Sequence, residues 1–254
     1  MNDKEKLREL FERQFSNLCP KCDGTRWVVE DGLARRCECF LEELNHRRIE
    51  FARIPLSYQH CRLTNFRPQN PSQKDALTLA RAYVSDFLSS KNIGKGILFR
   101  GSIGVGKTHL AVAILNALLE QGFTGTFINF VHLIEKIKQS YEPGVEVAEP
   151  ELFRQLKRCH VVVMDELGAT RPTEFVFDKL YDIINYCFDH KISLIFTTNY
   201  QDRVEAHRNN GLESRPVRTH SLGERINERL RSRILERCFD VCLEGDDYRL
   251  RKHR

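Results

Sequence analysis

The chain has 254 residues, of which 41% are hydrophobic and 30% are charged, and its formal net charge is +5. This length suits one sizeable domain with a small appendage, and the composition is that of a globular protein rather than a disordered one. No stretch approaches the roughly 20 consecutive apolar residues of a membrane span, and the charged start MNDKEKLREL is unlike a secretion signal. We therefore expect a cytoplasmic protein without membrane association, whose mild positive charge permits a nucleic-acid partner.

The predicted elements alternate along most of the chain. Apolar residues at helical spacing predict helices at residues 3–17, 40–53, 72–90, 107–120, 131–140, 150–158, 173–189 and 221–237. Short apolar runs predict strands at residues 96–99, 126–130, 161–164, 192–197 and 239–243. Ser72 and Ser221 are predicted to cap the helices that they begin. Alternation of this kind implies the α/β class, with a parallel sheet between layers of helices.

A proline-containing segment divides the sequence. Residues 54–71 hold three prolines, Pro55, Pro68 and Pro71, and we interpret them as a join. Residues 1–54 are then predicted to form a small N-terminal module, and residues 55–254 the main domain.

A glycine-rich loop follows the first strand of the main domain. The sequence GSIGVGKT at residues 101–108 fits the pattern G-x4-G-K-T, in which backbone N–H groups surround phosphates at the start of a helix. Lys107 would reach the outer phosphates of ATP or ADP, and the Thr108 hydroxyl would bind Mg²⁺. The predicted nucleotide-binding residues are Gly101, Ser102, Ile103, Gly104, Val105, Gly106, Lys107, Thr108, His109 and Asp165.

Two adjacent carboxylates end a buried strand. Asp165 is expected to hold Mg²⁺, and Glu166 is expected to act as the general base that activates water. A predicted strand at 126–130, between the loop and this pair in the sequence, indicates the extra-strand topology of hydrolysing P-loop ATPases. Asn199, at the end of the next strand, is a candidate for orienting the water.

These motifs together resemble the AAA+ class of ATPases, and within it the bacterial DnaC-type helicase loaders and the IstB-type transposition ATPases. The resemblance covers about residues 55–250. Its matching segments are GSIGVGKTHLA from residue 101, VVVMDELG at 161–168, TTN at 197–199, LGERINERL at 222–230 and EGDDYR at 244–249.

The resemblance implies that an arginine in segment 222–230 reaches the γ-phosphate bound by a neighbouring subunit. Arg225 and Arg229 are the candidate arginine fingers, and a solvated helix face is the alternative for each. Such a finger implies a homo-oligomer or an assembly on a partner ring or a DNA strand. Ordinary AAA+ proteins carry a C-terminal helical lid, but only residues 245–254 follow the last strand, so no lid is expected.

Four cysteines lie in the N-terminal module. Cys19 and Cys22 form C-x2-C, and Cys37 and Cys39 form C-x-C, which suits four thiolates around zinc. The residues between the pairs predict a hairpin, because apolar residues flank an Asp-Gly turn at 31–32. Zinc would provide folding energy that so small a module lacks, with an iron–sulfur cluster or unligated thiols as alternatives. The remaining cysteines, predicted to pack as small apolar residues, are Cys61, Cys159, Cys187, Cys238 and Cys242.

Two regions are candidates for nucleic-acid contact. The predicted loop before residue 221 contains Arg203, Arg208, Arg215 and Arg218, which would meet phosphates or form a solvated surface. Segment 131–145 corresponds to the element with which replication-initiation AAA+ proteins contact single-stranded DNA. Its candidate contacts are Lys136, Lys138 and Tyr141.

Three functional hypotheses remain. The leading hypothesis is an ATP-hydrolysing loader that places a hexameric replicative helicase on single-stranded DNA, because the resemblance implies helicase contact through the N-terminal module. The second is an IstB-type transposition helper that acts on duplex DNA. The third is a zinc-dependent adaptor in which the nucleotide is structural, although Glu166 argues for hydrolysis.

Overall fold

The structure is a computed structural model that describes residues 18–89, 93–139, 149–201 and 221–251. It divides into two compact units, whose boundary lies between Arg48 and Ile49. Several predictions lie outside the described residues, namely the helix at 3–17 and the candidate contacts Tyr141, Arg203, Arg208, Arg215 and Arg218.

The small unit is built on an antiparallel hairpin. Strand β1 (Trp27–Glu30) pairs with β2 (Leu33–Arg36), and Trp27 lies opposite Arg36. Asp31 and Gly32 connect the strands with φ angles of 50° and 76°. Two successive positive φ angles match the twist of a tight hairpin, which explains the Asp-Gly pair. The predicted hairpin is confirmed, and helix α1 (Glu38–Ala52) follows it.

The main unit is built on a five-stranded parallel sheet. Its strands are β3 (Gly96–Gly101), β4 (Gly125–Asn129), β5 (Val161–Asp165), β6 (Ser193–Thr198) and β7 (Cys238–Leu243). Their spatial order is β4-β5-β6-β3-β7, and every neighbouring pair is parallel. The predicted α/β sheet is confirmed. The strand that separates β3 from β5 in space is β6, whereas β4 forms an edge.

Helices cover both faces of this sheet. Helices α2 (Pro71–Ser85) and α3 (Lys107–Glu120) contribute to the core on one face, and α4 (Phe130–Gln139), α6 (Glu174–Asp189), α7 (Leu222–Ile226) and α8 (Glu228–Arg237) to the other. Helix α5 (Glu149–Leu156) precedes β5, and the short α9 (Tyr248–Arg251) follows β7. Within β3, Ile97 and Phe99 belong to the first core and Leu98 to the second, as the two-residue period of a strand requires. None of the described helices is long and apolar enough to cross a bilayer.

The cap of one helix and the continuity of another differ from the sequence prediction. Helix α2 is capped by Asn70 rather than Ser72, because Asn70 Oδ1 accepts from the Gln73 N–H at 3.0 Å and Pro71 occupies the first turn. The predicted helix at 221–237 is two helices. They are separated at Asn227, whose φ of 74° interrupts the first helix and whose side chain caps the second. The predicted Ser221 cap is confirmed.

Candidate nucleotide and metal sites

The glycine-rich loop connects β3 with α3 and contains two glycines that no other residue could easily replace. Gly104 and Gly106 have φ angles of 77° and 101°, in the region that glycine alone adopts without strain. A Cβ on Gly106 would lie 2.6 Å from the Phe66 ring, and one on Gly104 would lie 1.8 Å from Asp247 Oδ1. The loop therefore needs glycine for both its backbone conformation and its close packing.

Lys107 lies inside this loop and is 6% exposed. Its Nζ donates to the carbonyl oxygens of Gly101 at 2.9 Å and Ser102 at 2.5 Å. Burial lowers the pKa of Lys107 to about 8, although the charge of Asp165 opposes this shift. Phosphate oxygens in the loop would compete with the two carbonyls for the ammonium group.

Thr108 and Asp165 meet at the end of β5. The Thr108 hydroxyl donates to Asp165 Oδ1 at 2.9 Å, and the Thr197 hydroxyl donates to the same oxygen at 2.5 Å. Burial raises the pKa of Asp165, and the two hydroxyl hydrogen bonds oppose that rise. A hydroxyl and a carboxylate in contact offer the oxygen ligands that Mg²⁺ prefers.

Glu166 is held in an unusual backbone conformation next to Asp165. Its φ is 62°, its N–H donates to Thr197 Oγ1 at 3.0 Å, and its Oε2 accepts from Asn129 Nδ2 at 3.0 Å. Non-glycine residues in this conformation are strained and cluster at functional sites. The β5–β6 contact thus fixes the backbone of Glu166, while Asn129 fixes its carboxylate.

Asn129 is a site residue that the sequence analysis missed. It is the last residue of β4 and pairs in register with Asp165. Its Oδ1 accepts from the Val131 N–H at 2.9 Å, at the start of α4, so one amide joins α4 to Glu166. The available signal was a polar residue at the end of an apolar strand. This signal could have placed Asn129 at the site only if the sequence had shown that β4 lies beside β5.

The glycine-rich loop and Glu166 open into a cleft of about 980 Å³. Asn199 lines it, together with side chains from the segment that the sequence analysis interpreted only as a join: Ser57, Tyr58, His60, Asn65, Phe66 and Arg67. A cleft of this size is at the upper end of the range for small-molecule sites, about 300–1,000 Å³. The join is therefore a wall of the candidate site.

The other predicted residues of the loop have different surroundings. Val105 is buried at 3% exposure, whereas Ile103 is exposed at the cleft. His109 Nε2 lies 3.1 Å from the Arg62 carbonyl oxygen and 3.0 Å from Asn65 Oδ1, and burial lowers the pKa of this histidine. A neutral His109 thus anchors the cleft wall to α3.

The two candidate arginine fingers have different environments. Arg225 donates to the carbonyl oxygens of Gly168 and Ala169, at 2.7 Å each. Arg229 is exposed, and its guanidinium carbon lies 3.9 Å from the centre of the Tyr181 ring. Neither arginine lines the cleft of its own chain.

The candidate DNA contacts on α4 are exposed. Lys136 and Lys138 lie in the last turn of this helix. Lys136 also lines a second cleft, of about 340 Å³, whose lining includes Asn129 and Glu166.

The four cysteines of the small unit form one cluster. All four Sγ atoms lie within 4.8 Å of one another. The Sγ atoms of Cys19 and Cys37 are 3.7 Å apart, and those of Cys22 and Cys39 are 3.6 Å apart. Four sulfurs at about 2.3 Å from one tetrahedral zinc ion would be about 3.8 Å apart, so the cluster fits a single ion.

The fold and the site together define a P-loop NTPase. A glycine-rich loop joins β3 to α3, carboxylates end β5, and β6 separates these two strands. The profile of the family described as IstB-like ATP binding protein matches residues 43–254. The replicative helicase loader DnaC of Escherichia coli strain K12 is 31% identical over 230 residues, which cover 89% of this chain and 85% of that protein. The chain belongs to the family of IstB-like ATP binding proteins.

Solved structures agree with this assignment. A crystal structure of the DnaC helicase loader matches with a TM-score of 0.60 and 31% identity, covering 74% of this chain and 99% of that one. AMPPCP-bound DnaA from Aquifex aeolicus matches with a TM-score of 0.58 at 17% identity, over 76% of this chain and 52% of that one, which indicates a shared fold. The predicted fold class and the predicted family resemblance are confirmed.

Proposed function

We propose that this protein is an ATP-dependent loader that places a hexameric replicative helicase on single-stranded DNA in the cytoplasm. One observation carries the proposal: Lys107, Thr108 and Glu166 line one cleft in a chain that is 31% identical to a replicative helicase loader. The proposal includes ATP hydrolysis, because a carboxylate beside the candidate magnesium ligand suits activation of water.

The motif residues at the cleft and beside it have proposed roles in this reaction. The backbone N–H groups of 101–108 bind the phosphates, and Lys107 moves from its carbonyl partners to the outer phosphates. Mg²⁺, held by Thr108 and Asp165, would neutralise phosphate charge when bound. Glu166 accepts the proton of the attacking water, and Asn199 orients that water.

We further propose that the working form is an oligomer or an assembly on the helicase ring. Between the two candidate fingers, the environment favours Arg229, because Arg225 is engaged by two carbonyl oxygens of its own chain. Arg229 is exposed and stacks on the Tyr181 ring, a contact that costs less to break than two hydrogen bonds from a guanidinium to carbonyl oxygens.

We propose that the four cysteines bind structural zinc and that residues 1–54 contact the helicase, while residues 55–254 form the ATPase domain. The sulfur spacing supports one tetrahedral ion, and four protein ligands leave no position for catalysis at the metal. Lys136 and Lys138 remain the proposed contacts for single-stranded DNA, and their exposure is compatible with that role.

A second candidate function is that of a transposition helper of the IstB type, acting on duplex DNA. The match of residues 43–254 to the IstB-like profile favours it. The cysteine module and the similarity to DnaC over 89% of the chain favour the loader.

ATP hydrolysis by the purified protein tests these alternatives. It is measured alone and with single-stranded DNA, duplex DNA or a replicative helicase, beside Lys107→Ala as the inactive reference. Stimulation by single strands together with complex formation with the helicase supports the loader. Stimulation by duplex alone supports the transposition helper, and turnover that persists in Lys107→Ala contradicts the proposed site.

A further inference from the structure

The chain that follows β7 lies against the glycine-rich loop. The Tyr248 N–H donates to the Gly104 carbonyl oxygen at 3.1 Å, and the Ser102 hydroxyl donates to the Gly245 carbonyl oxygen at 3.2 Å. Asp247 packs so closely against Gly104 that a Cβ there would overlap its carboxylate. We call residues 244–249 the C-terminal strap.

The strap is anchored at its start by the beginning of α2. The Glu244 carbonyl oxygen accepts from Asn70 Nδ2 at 2.8 Å and from Gln73 Nε2 at 3.1 Å, and the Glu244 N–H donates to Ser72 Oγ at 3.0 Å. Gln73 is 5% exposed and also donates to the Val105 carbonyl oxygen at 3.4 Å. One buried amide therefore holds both the strap and the glycine-rich loop.

This arrangement brings Arg249 to the nucleotide cleft. Arg249 lines the cleft of about 980 Å³ together with Lys107, Thr108 and Glu166. Burial is the main cause of the lowered pKa of Lys107, and the charge of Arg249 lowers it further, so the two cations are close enough to repel. Among the described residues no carboxylate forms an ion pair with Arg249.

We propose that Arg249 binds a phosphate group of the nucleotide held in its own subunit. A guanidinium group can form two parallel charge-assisted hydrogen bonds to a phosphate, and an anion between Arg249 and Lys107 would remove their repulsion. Because Arg249 ends the strap, nucleotide binding would also fix the strap in place. This inference rests on the proposed nucleotide site and adds a residue to it.

The test compares Arg249→Gln with Arg249→Lys and with Arg237→Gln. Arg237 is a matched control, because it lies on the surface of α8, pairs with Glu236 at 3.5 Å and does not line the cleft. The dissociation constants of ATP and ADP are measured for each variant. Hydrogen bonds to charged groups are worth enough that Arg249→Gln is expected to weaken binding of at least one nucleotide about tenfold to a hundredfold. Arg249→Lys is expected to lose less, and Arg237→Gln nothing.

A second measurement follows the strap itself. ATP is expected to slow amide hydrogen exchange at residues 244–249 in the wild-type protein but not in Arg249→Gln at saturating ATP. This readout does not depend on hydrolysis.

The outcomes separate this inference from the proposed function. If Arg249→Gln binds ATP as tightly as Arg237→Gln does, while Lys107→Ala abolishes binding, the proposed role of Arg249 is wrong. The proposed nucleotide site is then still supported. A wild-type protein that binds neither ATP nor ADP overturns both. Exchange in the strap that ATP slows equally with and without Arg249 contradicts the coupling of the strap to the nucleotide through this residue.

Discussion

The cysteine module and the nucleotide cleft reach a defined geometry in opposite ways. Within residues 18–48, the only buried side chains are Cys22 and Cys37, and both belong to the cysteine cluster. The hairpin beside them exposes 46% of Trp27 and 73% of Val29. In the main unit, called the large unit below, strands β3, β5 and β6, which precede the residues of the candidate nucleotide site, are almost entirely buried. We therefore expect the small unit to depend on a metal for its folding, whereas the large unit has a core before any ligand binds.

The core of the large unit also stabilises features that cost folding free energy, namely a buried carboxylate and a strained backbone conformation, which the small unit could not maintain. Asp165 is a carboxylate at 4% exposure, and Glu166 has a φ of 62°. Both features oppose folding locally and persist only where the surrounding packing outweighs them. This difference predicts that a metal is a folding element in the small unit, while a nucleotide is a ligand of an already folded scaffold in the large unit.

Removal of one metal ligand gives the sharpest test of this difference. Cys22→Ser is expected to abolish zinc binding and to make residues 18–48 sensitive to protease, because a three-thiolate site no longer supplies the folding energy. ATP binding by the large unit is expected to remain. Zinc analysis, limited proteolysis and nucleotide titration check the three statements.

Cys242→Ser is the control for this variant, since Cys242 is partly buried in the large unit and lies outside the cluster. It is expected to retain zinc. A Cys22→Ser protein whose small unit stays protease-resistant after zinc is lost would show that the metal is not what folds it.

Glu166→Gln tests whether the strained residue in the large unit serves chemistry. Turnover is expected to fall about a hundredfold to ten-thousandfold, the range for loss of a general base, while ATP affinity is retained. Glu135 is an exposed carboxylate on α4, so Glu135→Gln is the matched control and should hydrolyse ATP as the wild type does. Steady-state hydrolysis and nucleotide binding are measured on the same preparations, and equal turnover in the two variants would contradict the role of Glu166.

The pH dependence of ATP binding tests whether burial of Lys107 has a functional consequence. The pKa of Lys107 is about 8 in the structure, and phosphates beside the ammonium would raise it. Above that pKa, Lys107 is largely neutral in the free protein but protonated in the ATP-bound protein, so binding takes up a proton. The affinity for ATP should therefore fall as the pH rises past about 8, by at most about tenfold per pH unit. Calorimetry in buffers of different ionisation enthalpy should detect proton uptake just above this pH.

Lys107→Arg sharpens the same prediction, because a guanidinium stays charged across this range. The variant is expected to bind ATP without the proton uptake, whatever its affinity. Binding by the wild type that is independent of buffer and pH between about 8 and 10 would show that Lys107 is charged in the free protein.

The smallest expected effect concerns Asn129, which joins α4 to Glu166. Asn129→Ser keeps a capping oxygen but removes the donor to Glu166, whereas Asn129→Ala removes both. Both variants are expected to raise basal hydrolysis about twofold to tenfold, because one hydrogen bond no longer restrains the carboxylate. Asn129→Ala alone should also lose about 1 kcal/mol of stability. Hydrolysis assays measure the effect on turnover, and chemical denaturation measures the effect on stability. Unchanged turnover in Asn129→Ser would show that the hydrogen bond from Asn129 does not restrain Glu166.

Features whose chemistry lies in contiguous residues could be predicted from the sequence. The glycine-rich loop, the Asp165–Glu166 pair, the Asp-Gly hairpin turn and the paired cysteines were all predicted, because each depends on local spacing. The five strands were predicted for the same reason, since each is a short apolar run. Two local predictions failed. Asn70 rather than Ser72 caps α2, and Asn227, with a φ of 74°, divides a helix that the apolar pattern alone made continuous.

Which distant residues share the cleft depends on how the whole chain folds. Asn129 contacts Glu166 because β4 lies beside β5, a neighbourhood that follows from strand order and not from local spacing. Tyr58 and Arg249 line the same cleft although most of the chain separates them in sequence. Apolar patterns specify which face of an element is buried, but the packing of the whole sheet and its helices determines what each polar residue at a strand end or in a connecting segment will meet.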